Sequence, residues 1–495
     1  MHQQRRIVDL SSSPLVDRRL LREQAYIDGK WRAAADGGVI AVANPADGVR
    51  LGTVPEMKAA EARMAIEAAA AAFPAWRELL PRERSDALRA WHTAIIACRE
   101  DLAVLMTLEQ GKPLAEARGE IDYAASFVEW YAEEAKRVAV EAYPSHLADA
   151  EVALRREPIG VAALITPWNF PSAMVTRKAA AALAAGCAVV VHPSNKTPFS
   201  ALALAHLADR AGIPPGVFNV VTGAPAEIVG ELCRSPIVRL LSFTGSTEIG
   251  LRLAAACAPT LKRLVMELGG HAPFIVFADA DLDRAVESCV AAKFATSGQD
   301  CLAANRIYVE RPLYARFAAA FTARTARLVV GPGLEAGVEI GPLIDEAAIA
   351  KQERHVRDAL ARGARLLAGG GRHERGPLFF QPTVLADVPD DALVMREETF
   401  GPIAALAPFD SEAEALRRAN ATPYGLVAYL HTRDRRRIRR AASGLEFGMV
   451  AVNRTKITGA PIPFGGVKLS GLGREGGRLG IEAFTEIKYL CLETG

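Results

Sequence analysis

Two residues, Glu267 and Cys301, carry side chains that can do nucleophilic chemistry, and both have small neighbours. Cys301 lies in the run Gly-Gln-Asp-Cys-Leu-Ala-Ala-Asn-Arg at 298–306, and glycine occupies positions 269 and 270 shortly after Glu267. A thiol becomes a useful nucleophile only when its proton can leave, and small neighbours help to admit a substrate. An isolated cysteine is more often a small core residue. Attack by a thiolate is therefore the chemistry to test against the rest of the chain.

A glycine-containing turn at 243–250 has the features of a phosphate-binding site. It reads Phe-Thr-Gly-Ser-Thr-Glu-Ile-Gly, at a point where a strand is expected to turn into a helix. Glycine lets the backbone approach a pyrophosphate, and a helix N-terminus offers free amides and a favourable dipole. A plain turn uses the same glycines, but its place after the fourth strand of an α/β run favours a cofactor site.

The run Thr-Pro-Trp-Asn-Phe-Pro at 166–171 is a second candidate for chemistry. Its simplest interpretation is a rigid loop bounded by prolines. Alternatively, the side-chain amide of Asn169 could donate a hydrogen bond to an oxyanion, with the backbone N–H of Cys301 as the second donor.

Length and charge bound the possible functions. The 495 residues are too many for a single hydrophobic core, so two or three domains are expected. The formal net charge of +2 indicates no nucleic acid or membrane partner. The basic run at 432–440 is interpreted as a solvated helix face rather than a polyanion-binding patch.

Cysteine usage indicates a reducing compartment. The seven cysteines form no C-x-x-C pair, and with an odd count in a long chain they favour reduced thiols in the cytoplasm. No stretch approaches the roughly 18 apolar residues of a membrane span. With nine dispersed histidines and no Cys/His cluster, no metal site is predicted. Residues 1–24 are interpreted as an N-terminal extension without a signal core.

The order of predicted elements indicates an α/β fold. Residues 58–140 have helical spacing, and from 161 short apolar strands alternate with helices. The strands are predicted at 161–166, 188–192, 217–221, 240–244 and 262–266. This alternation predicts a parallel sheet with helices on its faces, a Rossmann-like unit, and a second α/β unit follows after 270. Segments 152–156 and 484–492 are predicted as strands, either edge strands or an arm.

Taken together, the motifs resemble those of the aldehyde dehydrogenase superfamily. The set consists of PWNFP, FTGS, ELGG and GQDC, together with EETFGP at 397–402 and PFGGVK at 463–468. The resemblance extends from about residue 25 to 492. Within the superfamily, the runs at 174–178 and 470–476 are most similar to the succinate-semialdehyde dehydrogenases.

The resemblance implies an aldehyde dehydrogenase-like α/β fold with a Rossmann-type cofactor domain, an α/β catalytic domain and a small β oligomerisation arm. The cofactor domain is expected at 25–140 and 159–268, and the catalytic domain at 269–470. The arm is expected at 141–158 and 483–495, and it implies a homodimer or homotetramer.

The resemblance also implies roles for individual residues. Cys301 would attack the aldehyde, Asn169 would hold the oxyanion, and Glu267 would activate water to hydrolyse the thioester. Glu398 would bind the nicotinamide ribose, with Phe400 packed alongside. The remaining cofactor-binding residues implied are Thr166, Trp168, His192, Ser194, Asn195, Gly245, Ser246 and Leu268.

Two departures from the family concern the cofactor. The family usually has lysine where this chain has His192, and that lysine holds the adenosine ribose or the 2′-phosphate of NADP. Histidine is shorter and mostly neutral at pH 7, which weakens phosphate preference. Asn195 replaces the glutamate common in NAD-specific members, and this removes repulsion of a 2′-phosphate. The changes act in opposite directions, so the choice between NAD and NADP stays open.

A third departure concerns the substrate. Succinate-semialdehyde dehydrogenases hold the substrate carboxylate with two arginines and a hydroxyl. Arg177 matches the first arginine and Thr458 can supply the hydroxyl, but Ala295 occupies the second arginine's position. One guanidinium fewer costs about 2–3 kcal/mol at a desolvated carboxylate. Lys456 is either a partial substitute or a solvated loop residue.

The leading hypothesis is an NAD- or NADP-dependent dehydrogenase that oxidises a small aldehyde, succinic semialdehyde or a related ω-carboxy semialdehyde such as glutarate semialdehyde. A neutral or aromatic aldehyde is the first alternative. The others are a CoA-acylating enzyme, disfavoured by Glu267, a cysteine esterase, and a protein that has lost cofactor binding through His192.

Overall fold

The computed structural model describes residues 15–138 and 140–494. Its strands, in chain order, are β1 (Ala25–Ile27), β2 (Lys30–Arg32), β3 (Val39–Ala43), β4 (Arg50–Pro55), β5 (Val140–Tyr143), β6 (Ala150–Pro158), β7 (Val161–Thr166), β8 (Ala188–Pro193), β9 (Phe218–Val220), β10 (Val238–Thr244), β11 (Arg263–Glu267), β12 (Ala272–Val276), β13 (Ala304–Glu310), β14 (Arg365–Ala368), β15 (Thr383–Ala386), β16 (Ile403–Phe409), β17 (Val427–His431), β18 (Met449–Val452), β19 (Gly471–Leu472) and β20 (Thr485–Glu493).

The helices are α1 (Ala59–Glu78), α2 (Pro81–Ala97), α3 (Arg99–Gln110), α4 (Leu114–Glu134), α5 (Ala173–Ala185), α6 (Pro198–Arg210), α7 (Pro225–Arg234), α8 (Thr247–Cys257), α9 (Leu282–Phe294), α10 (Arg311–Thr325), α11 (Glu346–Ala361), α12 (Leu393–Arg396), α13 (Glu412–Asn420), α14 (Arg435–Gly444) and α15 (Gly477–Glu482). Short 3-10 helices occur at Arg18–Leu20, Ala135–Arg137, Ala258–Thr260, Ala295–Gly298 and Lys468–Ser470.

The first sheet has the order β19-β11-β10-β7-β8-β9-β1-β2. The five strands from β11 to β9 are parallel, while β19 and β1 pair antiparallel with their neighbours. Every residue of β7 and β8 is buried, as expected of strands covered by helices on both faces. The predicted parallel sheet is confirmed, and all five of its predicted strands are present.

The second sheet has the order β14-β15-β16-β13-β12-β17-β18 and is parallel except for β14. Two buried clusters line its faces, one around Ile275 and Phe409 and the other around Phe274 and Phe317. The α/β class and the expected pair of α/β units are confirmed. The domain boundaries remain predictions.

A three-stranded antiparallel sheet, in the order β20-β6-β5, lies apart from these two. β20 pairs with β6 along its whole length, from Thr485 opposite Pro158 to Glu493 opposite Ala150. Ile487, Tyr489 and Leu492 are more than half exposed on β20. We refer to β5, β6 and β20 as the arm.

Two surface segments were predicted from the sequence. Part of the expected N-terminal extension, residues 1–14, lies outside the described residues. The described part packs onto the helical layer, because Leu20 is fully buried and Val16 N donates to Asp101 Oδ1 at 2.9 Å. The basic run forms most of α14, with Arg435, Arg436 and Arg439 exposed, which agrees with a solvated face.

Candidate active site

Four strand ends meet at one edge of the first sheet. β7 ends at Thr166, β8 at Pro193, β10 at Thr244 and β11 at Glu267. The carboxyl ends of parallel strands in open α/β sheets form the crevice in which ligands bind. This topology brings the sequence-predicted cofactor residues of three separate motifs, at 166–168, 192–195 and 244–246, to the same edge as Glu267.

The nucleophile loop contains strained backbone. Between α9 and β13, Thr296 has φ 50° and Ser297 has φ 57°, both in the left-handed region that side chains other than glycine avoid. Each such residue costs on the order of 1–3 kcal/mol unless its surroundings enforce it. Here Thr296 N donates to Glu116 Oε2 at 2.9 Å and Ser297 Oγ donates to Gly341 O at 3.0 Å. The loop is therefore held from outside.

Cys301 lies against the glycines that follow Glu267. A Cβ on Gly270 would lie 2.2 Å from Cys301 O, so only glycine permits this approach. Burial raises the pKa of the Cys301 thiol well above its usual range, and the carboxylates of Asp300 and Glu398 raise it further, while Arg177 opposes them. At neutral pH the free site therefore holds a protonated thiol.

The Asn169 side chain is directed toward the nucleophile loop. Asn169 is 6% exposed, and its Nδ2 donates to Gln299 O at 3.0 Å, two residues before Cys301. An amide nitrogen carries two hydrogens, so one remains for a ligand. Among the described residues, none accepts a hydrogen bond from Cys301 N. Both donors that the resemblance implies for an oxyanion hole therefore keep a hydrogen that no described residue accepts.

The carboxyl group of Glu267 is without a hydrogen-bond partner in the part of the chain that the structure describes. Both carboxyl oxygens are buried and unpaired among the described residues. Burial raises its pKa well above the usual range, Glu475 raises it further, and Arg177, Lys178 and Arg474 act in the opposite direction. A Cβ on Gly465 would lie 2.8 Å from Glu267 Oε1, so the absence of a side chain there gives the carboxyl its space. An unpaired buried carboxyl of raised pKa is suited to general-base work.

A buried charge cluster adjoins Glu267. Glu475 pairs through Oε2 with Arg177 Nε at 2.7 Å and through Oε1 with Lys178 Nζ, which also donates to Ser242 Oγ at 3.0 Å. Sequence reasoning gave Lys178 and Glu475 no role in the site. The available signal was the pair of adjacent cations in α5, whose other residues are alanine, leucine, methionine, valine and threonine, because buried cations require an acidic partner.

Three loops form the part of the groove that is predicted to hold the nicotinamide end of the cofactor. Glu398 Oε1 accepts from Gly270 N at 2.8 Å, and burial raises the pKa of Glu398 to about 7. The rings of Trp168 and Phe400 are 5.5 Å apart in an edge-on contact. Leu268 packs so closely on α8 that a Cβ on Gly250 would lie 2.3 Å from its Cδ2.

The residues of this groove fit a dinucleotide. The Thr166 hydroxyl is buried without a partner, and so is the Thr244 hydroxyl just before Gly245. Ser246 caps α8, accepting from Ile249 N at 3.4 Å, and leaves the first amides of the helix toward the groove. Unpaired hydroxyls and helix amides are the groups that phosphate and ribose oxygens engage.

At the predicted adenosine end of the cofactor groove, His192 stands where the family usually has lysine. His192 is buried, its Nδ1 pairs with Val221 O at 2.8 Å, and burial lowers its pKa, so the ring is neutral. Asn195 is held by Gly223, donating to its O at 2.7 Å and accepting from its N at 3.3 Å. Ser194 Oγ accepts from Lys196 N at 3.3 Å. Lys196, which sequence reasoning did not select, is the one cation of this turn.

The predicted substrate residues are only partly brought together. Arg177 lies 4.2 Å from the Phe464 ring centroid, and the Tyr123 hydroxyl interacts with both Arg177 and Thr458. Lys456 is exposed and has no ionic partner among the described residues; its carbonyl accepts from Arg454 Nε at 2.9 Å. Tyr123 thus links Arg177 to Thr458, whereas Lys456 is exposed two positions before Thr458 in the chain.

Two features are absent from the described residues, a group of metal-binding side chains and a helix that could span a membrane. Within 15–138 and 140–494, no group of three or more His, Cys, Asp or Glu side chains is arranged to hold a metal ion. No helix in the same residues is long and apolar enough to cross a membrane. All seven cysteines are free.

The thiol chemistry predicts a pH profile for alkylation of Cys301. Because its pKa is raised, we expect the iodoacetamide rate at Cys301 to keep rising through pH 9 without a plateau. Subtracting the rate of Cys301→Ala removes the contribution of exposed Cys491. A plateau below pH 8 would contradict this account of the resting thiol.

The position of Glu398 predicts pH-dependent dinucleotide binding. A carboxylate accepts ribose hydroxyl hydrogen bonds better than a carboxylic acid, so affinity should weaken below pH 7, by up to about tenfold per pH unit. Calorimetric titration between pH 6 and 8.5 measures this, and Glu398→Gln should flatten the profile. Glu397→Gln, whose carboxylate pairs with Arg354 instead, is the matched control. An unchanged profile in Glu398→Gln would exclude the carboxylate as its origin.

Comparisons with known proteins agree with this site. The aldehyde dehydrogenase family model matches residues 31–490. A succinate-semialdehyde dehydrogenase [NADP(+)] of Escherichia coli is 55% identical over 478 residues, 97% of this chain and 99% of that protein. A glutarate-semialdehyde dehydrogenase of Pseudomonas aeruginosa is also 55% identical, with the same coverage. The crystal structure of a succinate-semialdehyde dehydrogenase from Burkholderia pseudomallei matches with a TM-score of 0.96 at 54% identity, over 97% of this chain and 100% of that one.

These findings confirm the expected fold, the enzyme class and the use of NAD or NADP. The match extends over nearly the whole chain and does not depend on a single motif. This protein belongs to the aldehyde dehydrogenase family.

Proposed function

We propose that the protein oxidises succinic semialdehyde, or a related ω-carboxy semialdehyde such as glutarate semialdehyde, to the acid with NAD or NADP. The observation that carries the proposal is that buried Arg177, linked to Thr458 through Tyr123, lies close enough to Glu267 and Cys301 to interact with their charges. The relatives named above act on aldehydes that carry a distal carboxylate, which matches a buried guanidinium.

The reaction begins with loss of the Cys301 proton. Burial raises the pKa of the Cys301 thiol and the charge of Glu267 adds to this rise, while the raised pKa of Glu267 itself makes its carboxylate a ready proton acceptor. The thiolate then attacks the aldehyde carbon and forms a thiohemiacetal. Asn169 Nδ2 and the backbone N–H of Cys301 hold the resulting oxyanion, and this stabilises the transition state.

Collapse of the oxyanion drives oxidation of the carbon attached to sulfur. A nicotinamide cofactor, when bound, supplies the acceptor for the departing hydride. Trp168, Glu398 and Phe400 would hold its nicotinamide end, and Thr166, Gly245, Ser246 and Leu268 would line the groove. His192, Ser194 and Asn195 would lie at the adenosine end, where they favour neither dinucleotide.

Release of the acid requires water and a base. Once the proton from Cys301 has passed from Glu267 to solvent, the carboxylate, whose oxygens have no partner among the described residues, takes a proton from water as the water attacks the thioester. Arg177 and Lys178 favour the charged form of Glu267 before it takes the proton. The presence of this base supports hydrolysis rather than transfer of the acyl group to CoA.

The distal carboxylate would be bound by Arg177 and Thr458. Arg177 Nε pairs with Glu475 and Nη2 donates to Met174 Sδ at 3.1 Å. Each terminal nitrogen carries two hydrogens, so N–H groups remain for a ligand. Lys456 would add a weaker contribution from the exposed loop. Ala295 supports one alternative, a neutral aldehyde of similar length, because the second guanidinium of the related enzymes is missing.

The assembly and location are part of the same proposal. The cofactor domain would comprise 25–140 and 159–268, the catalytic domain 269–470, and the arm would join subunits into a homodimer or homotetramer. The exposed apolar residues of β20 support the subunit contact. Seven free thiols support a cytoplasmic enzyme.

The substrate proposal predicts a preference for the anionic aldehyde. Dinucleotide reduction is measured with NAD and NADP, each with succinic semialdehyde and with a neutral aldehyde of the same length, and Cys301→Ala is the inactive control. We expect a higher kcat/KM for the semialdehyde. Lys456→Ala should lower it up to about fivefold, the limit for an exposed charge pair, and leave the neutral aldehyde unaffected.

Lys136→Ala is the control for Lys456→Ala, because Lys136 makes only a surface pair with Glu133. Equal or better turnover of the neutral aldehyde would replace the semialdehyde assignment with the alternative. No dinucleotide reduction with any aldehyde would contradict the proposed oxidation itself.

The arm predicts an oligomer that depends on β20. Ile487→Lys together with Tyr489→Lys places charges on its exposed apolar face, and burying them at an interface would be unfavourable. We expect wild-type mass by light scattering to be two or four times 52.9 kDa, and the variant to be smaller. A variant that keeps the wild-type mass would show that this face of β20 is not part of the subunit interface.

A further inference from the structure

A buried lysine outside the proposed chemistry touches the loop of the oxyanion donor. Lys112 follows α3, is 2% exposed, and donates from Nζ to Asn169 O at 2.7 Å and to Glu120 Oε2 at 2.5 Å. The same ammonium group lies 4.1 Å from the centroid of the Phe170 ring. Burying an ammonium costs several kcal/mol unless it is paired, and here Glu120 supplies the paired charge.

Glu120 connects this lysine to the helix that follows the loop. Its other oxygen, Oε1, accepts from Ser172 N at 3.0 Å and Ala173 N at 3.2 Å, the first amides of α5. A carboxylate at a helix N-terminus satisfies free amides and interacts favourably with the helix dipole. The ion pair Lys112–Glu120 therefore holds the Asn169 loop at both ends. Lys112 binds Asn169 O, and Glu120 binds the amides of Ser172 and Ala173.

The other side of Asn169 is held by the nucleophile loop. Asn169 Nδ2 donates to Gln299 O, and the Gln299 side chain is itself fixed: Nε2 donates to Pro342 O at 3.3 Å and Oε1 accepts from Ile344 N at 2.9 Å. Both segments that carry oxyanion donors are therefore tied to the segment 341–344.

The segment 341–344 packs against Gly111, the residue before Lys112. A Cβ on Gly341 would lie 2.2 Å from Gly111 O, and Gly111, with φ 95°, is packed so that its own Cβ would lie 2.7 Å from Pro342 Cγ. The contacts form a closed ring, from Lys112 through Asn169, Gln299 and 341–342 to Gly111. In the nucleophile loop, burial raises the pKa of Asp300, and the charge of Lys112 opposes part of this rise.

We propose that Lys112 is a positioning residue that, paired with Glu120, holds the Asn169 amide in the geometry required to bind the oxyanion. By direct contact Lys112 reaches the reaction through Asn169, because its Nζ donates to the Asn169 backbone and to no reacting atom. Misplacement of a donor by about 1 Å can cost about 100-fold in rate, so the anchor of such a donor has catalytic consequences. This inference rests on the proposed role of Asn169.

A double-mutant cycle tests it. Lys112→Met keeps the chain length and removes the charge and both hydrogen bonds; we expect kcat/KM to fall about 10- to 100-fold, approaching the loss of about 100-fold or more expected for Asn169→Ala. In the Asn169→Ala background, Lys112→Met should cost less than about threefold more, because the group that it positions is gone. Lys136→Met, on a surface lysine, should change neither value.

The cycle is measured with an aldehyde and also with p-nitrophenyl acetate. Ester acylation uses Cys301 and the oxyanion donors without hydride transfer, so it tests Lys112 even if no aldehyde is oxidised. If Lys112→Met does not fold, the pair Lys112→Met/Glu120→Gln replaces it, since a buried ion pair exchanged for neutral groups is usually tolerated. Equal losses from Lys112→Met with and without Asn169 would overturn the proposal, as would unchanged rates.

Discussion

The carboxylate of Glu475 is the interaction on which the charges of the site depend. It is buried between Arg177 and Lys178, two neighbouring cations on a helix with no exposed residue. Without it, two positive charges would remain in the interior at a cost of several kcal/mol each. With it, the cluster keeps one net positive charge beside Glu267, and the two cations oppose in part the burial that raises the pKa of that carboxyl. The same arrangement leaves part of the Arg177 guanidinium free to face a ligand.

A second constraint is that the reactive side chains lie on separate segments of the chain and make few direct contacts with one another. Cys301 and Asn169 lie on different loops and Glu267 ends β11, and each is held by backbone contacts to glycine or by a buried polar side chain. Gly270 and Gly465 allow close approach, while Glu116 and Glu120, both on α4, hold the nucleophile loop and the Asn169 loop respectively. The helical layer therefore supports catalysis although it contributes no proposed catalytic group.

Much of this architecture was accessible from the sequence because it is local. Alternating apolar strands and helices identified β7, β8, β10 and β11, and the glycine at the start of α8 marked the cofactor edge. The proximity of Cys301 to Glu267 came from resemblance, since no local pattern joins them. The Lys178–Glu475 pair and the burial of His192 were not predicted, because they depend on which distant segments pack together. The sequence alone does not distinguish a buried histidine from one that faces solvent.

The distance along the chain between the members of the charge cluster has a consequence for biosynthesis. Lys178 and Glu475 are 297 residues apart, and β19 and β20, which complete the first sheet and the arm, also follow residue 470. Domains fold in the order in which the ribosome delivers them. While the chain is being made, Lys178 and Arg177 therefore have no counter-charge, and the first α/β unit cannot reach its final packing. The reactive centre is completed only by the last-synthesised segment, so an unfinished chain carries the nucleophile without the environment that makes it an enzyme.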